Sequence, residues 1–168
     1  LAPERINTFP DSPTYGKPIS YPNESQVFSI LKLENGIAGT LSINGDSTIQ
    51  DQAHFMIYGK KGILKLTDPN TFGGNVIYLP AQKDFEDHPT PQILNYGFSY
   101  SENSRGLGPS EMADAIFEKR ENRANAELAV HVLDVIDHMV ESSEKGAFVQ
   151  VTSTCKRPEP MPSYVRRN

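Results

Sequence analysis

Several features that would quickly classify a chain of 168 residues are scarce or missing here. There is one cysteine, Cys155, so no internal disulfide can form; that fits a reducing compartment and the expectation of a cytoplasmic protein. Cys155 itself reads as a passive residue at the end of a strand, with no histidine or other general base close by in sequence. No apolar run approaches the ~20 residues needed to span a bilayer, so no membrane partner is expected. Basic residues are outnumbered, 16 Lys and Arg against 21 Asp and Glu. The net charge of −5 argues against nucleic acid, whose phosphates need a basic surface. Nowhere does Gly-x-Gly-x-x-Gly occur, so the dinucleotide-binding fingerprint is missing. Nor do Ser, His and Asp, or Cys and His, stand at a recognisable catalytic spacing. The start, Leu-Ala-Pro-Glu-Arg, has no initiator Met, basic n-region or apolar h-region, and reads as cut rather than natural.

What remains is ordinary globular material. The length suggests one domain, burying about 70% of the surface its unfolded chain exposes. Residues 1–25 carry Pro3, Pro10, Pro13, Pro18 and Pro22, which fix φ and remove donors, so an extended, turn-rich arm is expected. Strand formers fill Gln26–Glu34, and Asn35-Gly36 predicts a type I′ hairpin turn into Ile37–Asn44. In the returning strand Ile37, Leu41 and Ile43 share one face and Thr40 and Ser42 the other. A second hairpin runs from His54–Tyr58 through Gly59-Lys60-Lys61-Gly62 into Ile63–Leu66. Turn chemistry at Asp68-Pro69-Asn70 and Gly73-Gly74 then precedes a short strand, Asn75–Leu79. Residues 80–104 read as a long irregular loop carrying Phe85, Tyr96, Phe98 and Tyr100.

Two helices follow, over 109–144. Ser110 as N-cap, or Pro109 at the first helical position, opens Glu111–Lys119. Asn125 caps the longer helix, which ends near Ser143 with Gly146 beyond it. Leu128, Val132, Val135, Ile136 and Met139 recur at helical spacing and form an apolar stripe assigned to core packing. Ala147–Val151 is the expected final strand of a segment, 147–168, that ends in a Pro-rich tail. Strands and helices are segregated rather than alternating. The predicted class is therefore α+β: an open, mostly antiparallel sheet with helices packed on one face.

Three constellations invite a functional reading. His131, Asp134 and His138 lie on one face of the long helix, but a divalent site needs three or four converging ligands; a solvated or hydrogen-bonded face is the better reading and no metal is predicted. Gly59-Lys60-Lys61-Gly62 leads into a strand rather than a helix, so it is a hairpin turn and not a phosphate cradle. Arg105-Gly106-Leu107-Gly108 enters a helix. There the glycines let backbone amides approach a ligand and Arg105 adds a fixed donor fork. The competing reading is that the glycines only shape the turn.

Ordered blocks along the chain carry a resemblance. They are Pro3-Glu4-Arg5 with Ser12-Pro13; Leu33-Glu-Asn-Gly-Ile-Ala-Gly-Thr-Leu41; Ile57-Tyr58-Gly59 with Asp68-Pro-Asn-Thr-Phe-Gly-Gly74; and the run from Arg105 to Pro158. In order and spacing they resemble the carboxy-terminal domain of the Gfo/Idh/MocA oxidoreductases, the family of glucose–fructose oxidoreductase and inositol dehydrogenase. The resemblance implies half of a two-domain enzyme, with a separate Rossmann domain binding NAD or NADP. It implies an oxidoreductase of carbohydrate metabolism acting on a sugar or polyol, and a homo-oligomer pairing through the open sheet face, where Leu31, Leu33, Leu41 and Ile43 need not all meet the helices. The family's Glu-Lys-Pro motif does not occur here. Asp84-x-x-x-His88 and Asp134-x-x-x-His138 match its acid–base spacing but not its context. Catalytic and cofactor-binding residues are therefore expected upstream of Leu1, and the isolated chain is expected to be inactive. Arg105 and Tyr96 are the candidate substrate-facing residues. The alternative is a non-catalytic binding or assembly module on the same fold.

Overall fold

The computed structural model describes residues 5–20, 24–45, 55–70, 72–94 and 104–161. The chain divides into two compact units, Leu1–Asp51 and Gln52–Asn168. The first contains two antiparallel hairpins, β1 (Arg5–Ile6) with β2 (Pro18–Ile19), and β3 (Gln26–Lys32) with β4 (Ala38–Asn44). The proline-rich arm is organised by Asn7, which is buried. Its amide nitrogen donates to Ser12 Oγ and Thr14 Oγ1 at 2.7 and 2.8 Å, and its Oδ1 accepts from Phe9 N at 3.0 Å. Its backbone N–H donates to Lys17 O, and its carbonyl accepts from Gly16 N. Burying an amide is tolerated when every polar atom finds a partner, and Asn7 meets that condition.

The turn between β3 and β4 corrects one expectation. Asn35 does not take positive φ; only Gly36 does, at 84°. Gly36 N donates to Leu33 O and Leu33 N to Ile37 O, which makes a three-residue loop. This is a type I turn closed by a left-handed glycine rather than the two-residue type I′ turn read from Asn-Gly. The loop length decided it, because Lys32 pairs with Ala38 and five residues lie between them. The pairing of Val27 with Ile43 and Ser29 with Leu41 does place Leu41 and Ile43 on one face, opposite Thr40 and Ser42.

The second unit holds an antiparallel meander in the order β5 (Phe55–Gly59), β6 (Gly62–Leu66), β7 (Val76–Pro80) and β8 (Gln92–Leu94). β8 lies inside the segment read as an irregular loop. Three residues with one β-branched side chain are too short a signal to read locally, and pairing with β7 makes the strand. Gly62 is required where it stands. Its φ is 147°, and a Cβ there would sit 2.2 Å from Leu79 O and 2.7 Å from the Tyr78 ring. Tyr78 Oη donates to Lys61 O at 2.7 Å and closes the same corner.

Register puts Phe55, Ile57, Leu64, Leu66, Val76 and Tyr78 on one face of this sheet. Met56, Tyr58, Ile63, Ile77, Leu79 and Ile93 occupy the other. Both faces are largely apolar, Gln92 on the first and exposed Lys65 on the second being the exceptions, a pattern that suits cover on both sides.

Helix α1 (Leu107–Glu118) starts earlier than expected, with Gly106 as its N-cap and no side-chain cap bond. Ser110 N already makes the first helical bond, to Gly106 O. Pro109 therefore falls among the opening positions whose N–H groups have no intrahelical partner, and its missing donor costs nothing. Helix α2 (Ala126–Lys145) is bounded as the sequence suggests. Asn125 Oδ1 accepts from Leu128 N at 2.9 Å, and Gly146 ends the helix at φ 61°. In its apolar stripe Leu128, Val135 and Met139 are half-buried, whereas Val132 and Ile136 are exposed.

The α+β class read from the sequence is the class observed, with antiparallel pairing throughout. Among the described residues that pairing falls into three sheets. The expected last strand, Ala147–Val151, makes no strand pairing among those residues. Its stretch is also bonded to α2: Ser142 Oγ donates to Ala147 O, and Ser153 engages His131 and Asp134.

Candidate functional site

Arg105 stands at the entry to α1, and the structure gives it a role beyond surface decoration. Its Nη2 donates to Asn70 Oδ1 at 2.9 Å, across 35 residues of sequence. Asn70 is presented by an Asx turn, in which its backbone N–H donates to Asp68 Oδ1 at 2.8 Å. Leu107, buried, anchors the first turn of α1 just beyond, with its N–H on Ser104 O. The guanidinium is exposed, and one of its edges is used to hold orientation. Its remaining N–H groups bond nothing among the described residues. A planar donor fork held this way suits a hydroxyl or carboxylate oxygen. In the sequence Asp68 and Asn70 are turn formers, and no sequence pattern links a turn residue to an arginine 35 positions on.

A second polar cluster was not anticipated. Glu111, on α1, is 6% exposed. Its Oε1 and Oε2 accept from Arg120 Nη1 at 2.5 Å and Nη2 at 2.9 Å, and Oε1 also accepts from Arg123 Nη1 at 2.7 Å. The Arg120 hydrogen bonds, reinforced by Arg123, hold the carboxyl at about 2 against the opposing effect of burial. The Glu111 bonds, joined by a bond from Arg120 Nε to Glu118 Oε2 at 2.6 Å, raise Arg120 in turn. The chain reversal makes the cluster possible. Lys119 ends α1 in the left-handed region at φ 53°, and Arg120 N returns to Ala115 O at 3.0 Å. That reversal swings Arg120 back along the helix onto Glu111. A non-glycine residue in that region costs of order 1 kcal/mol, which the bidentate pair offsets.

His131, Asp134 and His138 lie on one face of α2, as their spacing implies, and that face is hydrogen-bonded. His131 Nδ1 and Ser153 Oγ are 2.8 Å apart, and Ser153 N donates to Asp134 Oδ2 at 3.4 Å. His138 Nδ1 lies 2.7 Å from Asp134 O and 3.2 Å from its Oδ1. Hydrogen bonding from Ser153 is the main reason the Asp134 carboxyl sits below its ordinary range, helped by the two histidines. The three residues clamp the chain after α2. Among the described residues no group of three or more His, Cys, Asp or Glu is placed to hold a metal ion. Asp84, the other acid with a matching spacing, accepts from Glu86 N and Asp87 N, a local turn role. Cys155 is half-buried. Tyr96 falls outside the described residues, so its pairing with Arg105 gains nothing from the structure.

Gly36 and Gly62 lead into strands, and Gly106-Leu107-Gly108 lacks the spacing of a dinucleotide fingerprint, so these turns do not fit a nicotinamide dinucleotide. No helix among the described residues is long and apolar enough to cross a membrane. No curated protein and no solved structure matches the chain. One family model does match it, that of the oxidoreductase family's C-terminal alpha/beta domain, over residues 4–151. With an α+β architecture and a match spanning all but the two ends, the chain belongs to the Gfo/Idh/MocA oxidoreductase family and is its C-terminal domain.

Proposed function

We propose that this chain is the substrate-facing and subunit-pairing domain of an NAD(P)-dependent oxidoreductase that acts on a sugar or polyol. Family membership over residues 4–151 carries the reading, and the held guanidinium of Arg105 supports it. In such an enzyme hydride moves between the nicotinamide and a carbinol carbon, and a general acid–base moves the hydroxyl proton. The dinucleotide belongs to a Rossmann domain that partners this one, because the glycine turns here do not fit it. What this chain contributes is orientation. Arg105, fixed by Asn70 and Asp68, donates to a substrate hydroxyl or carboxylate and so limits the poses it can take. The apolar sheet faces that carry Phe28, Ile30, Phe55 and Ile57, all exposed, suit pairing of two subunits.

Two measurements test this. Calorimetric titration of the isolated chain with NAD⁺ or NADP⁺ is expected to show no binding, and micromolar affinity would reject the division of labour. In the two-domain enzyme, Arg105→Ala is expected to lower kcat/KM by at least about tenfold, about 1.4 kcal/mol of transition-state binding. Unchanged kinetics would reduce Arg105 to a scaffold residue.

A further inference from the structure

At the end of α1 away from Arg105, a cavity of about 350 Å³ opens between the 120–125 connection and the chain at 156–159. That volume falls within the range of small-molecule sites. In a chain with a net charge of −5, the lining contains four cations, Arg120, Arg123, Lys156 and Arg157, against two carboxylates, Glu121 and Glu159.

The cations fall into two pairs with different duties. Arg120 is held by Glu111 and, through Nε at 2.6 Å, by Glu118, and Arg123 by Glu111, with side chains 30% and 20% exposed; those carboxylates offset their charge. Arg123 also ties the walls together: its Nε donates to Glu159 O at 2.9 Å and to Pro160 O at 3.3 Å. Asn122 Nδ2 bonds Ala124 O and stiffens the opposite wall. Lys156 and Arg157, by contrast, make no hydrogen bond or ion pair among the described residues. Although Glu121 and Glu159 line the same space, neither neutralises them. The N-terminus of α2, capped by Asn125, adds its positive dipole end to the lining.

We propose that this cavity binds the phosphate group of a small phosphate monoester. A monoester carries close to two negative charges at neutral pH and three acceptor oxygens, which matches two unpaired cations; a lone carboxylate would leave one of them unmatched. The Arg157 fork supplies paired donors and Lys156 a point charge. Arg120 and Arg123, fixed and charge-paired by Glu111 and Glu118, form a rigid guanidinium back wall that needs no reorganisation on binding, and the uncompensated charge comes from Lys156 and Arg157.

The test uses glycerol 3-phosphate as probe and glycerol as its neutral control, followed by amide chemical-shift mapping on the labelled 168-residue chain. Saturable shifts at 120–126 and 156–159 with glycerol 3-phosphate, and none with glycerol, are expected. Lys156→Ala with Arg157→Ala should raise the Kd at least about tenfold, and added salt should weaken binding. Both side chains are exposed and unpaired, so the double variant should fold; the wild-type shift map stands by itself if it does not. Absence of saturable shifts, shifts centred elsewhere, or an unchanged Kd in the folded double variant would each overturn the proposal.

Discussion

Replacing Glu111 by Gln probes the least exposed ion cluster in the described chain. The carboxylate receives three hydrogen bonds from two guanidiniums, and its carboxyl is held at about 2 instead of 4.5. Taken at face value, a shift of that size corresponds to roughly 3 kcal/mol between protonation states. Arg120 and Arg123 remain 30% and 20% exposed, so water screens part of it; a loss of about 2 kcal/mol is the expectation at pH 7. For a chain of this size that is a fall in Tm of about 4–8 °C. The sign with pH follows from a depressed carboxyl. The folded state holds fewer protons than the unfolded one between the two pKa values, so the stabilisation is complete above the unfolded value of 4.5. It is lost as pH falls through about 2. Thermal melts of the wild type and Glu111→Gln, followed by circular dichroism from pH 7 to pH 2.5, should therefore differ most at neutral pH and converge in acid. Melting curves that coincide at pH 7, or that stay equally separated throughout, would show that the cluster is a geometric arrangement without energetic weight.

Gly62→Ala should destabilise the meander by about 3 kcal/mol or prevent folding, because the new methyl meets the Leu79 carbonyl at 2.2 Å in a backbone conformation that alanine avoids; denaturant titration measures it, and a loss below about 0.5 kcal/mol would refute the corner geometry. Asn125→Ala should cost about 1 kcal/mol through the lost bond to Leu128 N, detectable as earlier amide exchange in the first turn of α2. Sedimentation should reveal self-association at high micromolar concentration, given exposed Phe28, Ile30, Phe55 and Ile57; a strict monomer would count against the sheets as pairing surfaces.

Local chemistry alone was enough for some of this protein. Asn125 and Gly146 mark α2 because capping and left-handed termination are decided within a few residues. The glycine-flanked Lys60-Lys61 turn was legible for the same reason, and so was the two-faced alternation of β4. The family too was legible, since the order and spacing of short blocks survive without any knowledge of contacts. Tertiary structure decided the rest. β8 exists because β7 offers an edge. The chain after α2 is tied back to that helix by Ser142 and by Ser153, 19 residues beyond Asp134. Arg105 depends on an Asx turn 35 residues earlier. Glu111 became the centre of a cluster only when Lys119 turned the chain back and delivered two arginines to it. These are meetings between residues distant in sequence or on opposite sides of a reversal, and their energies arise from burial and charge proximity that no local pattern encodes.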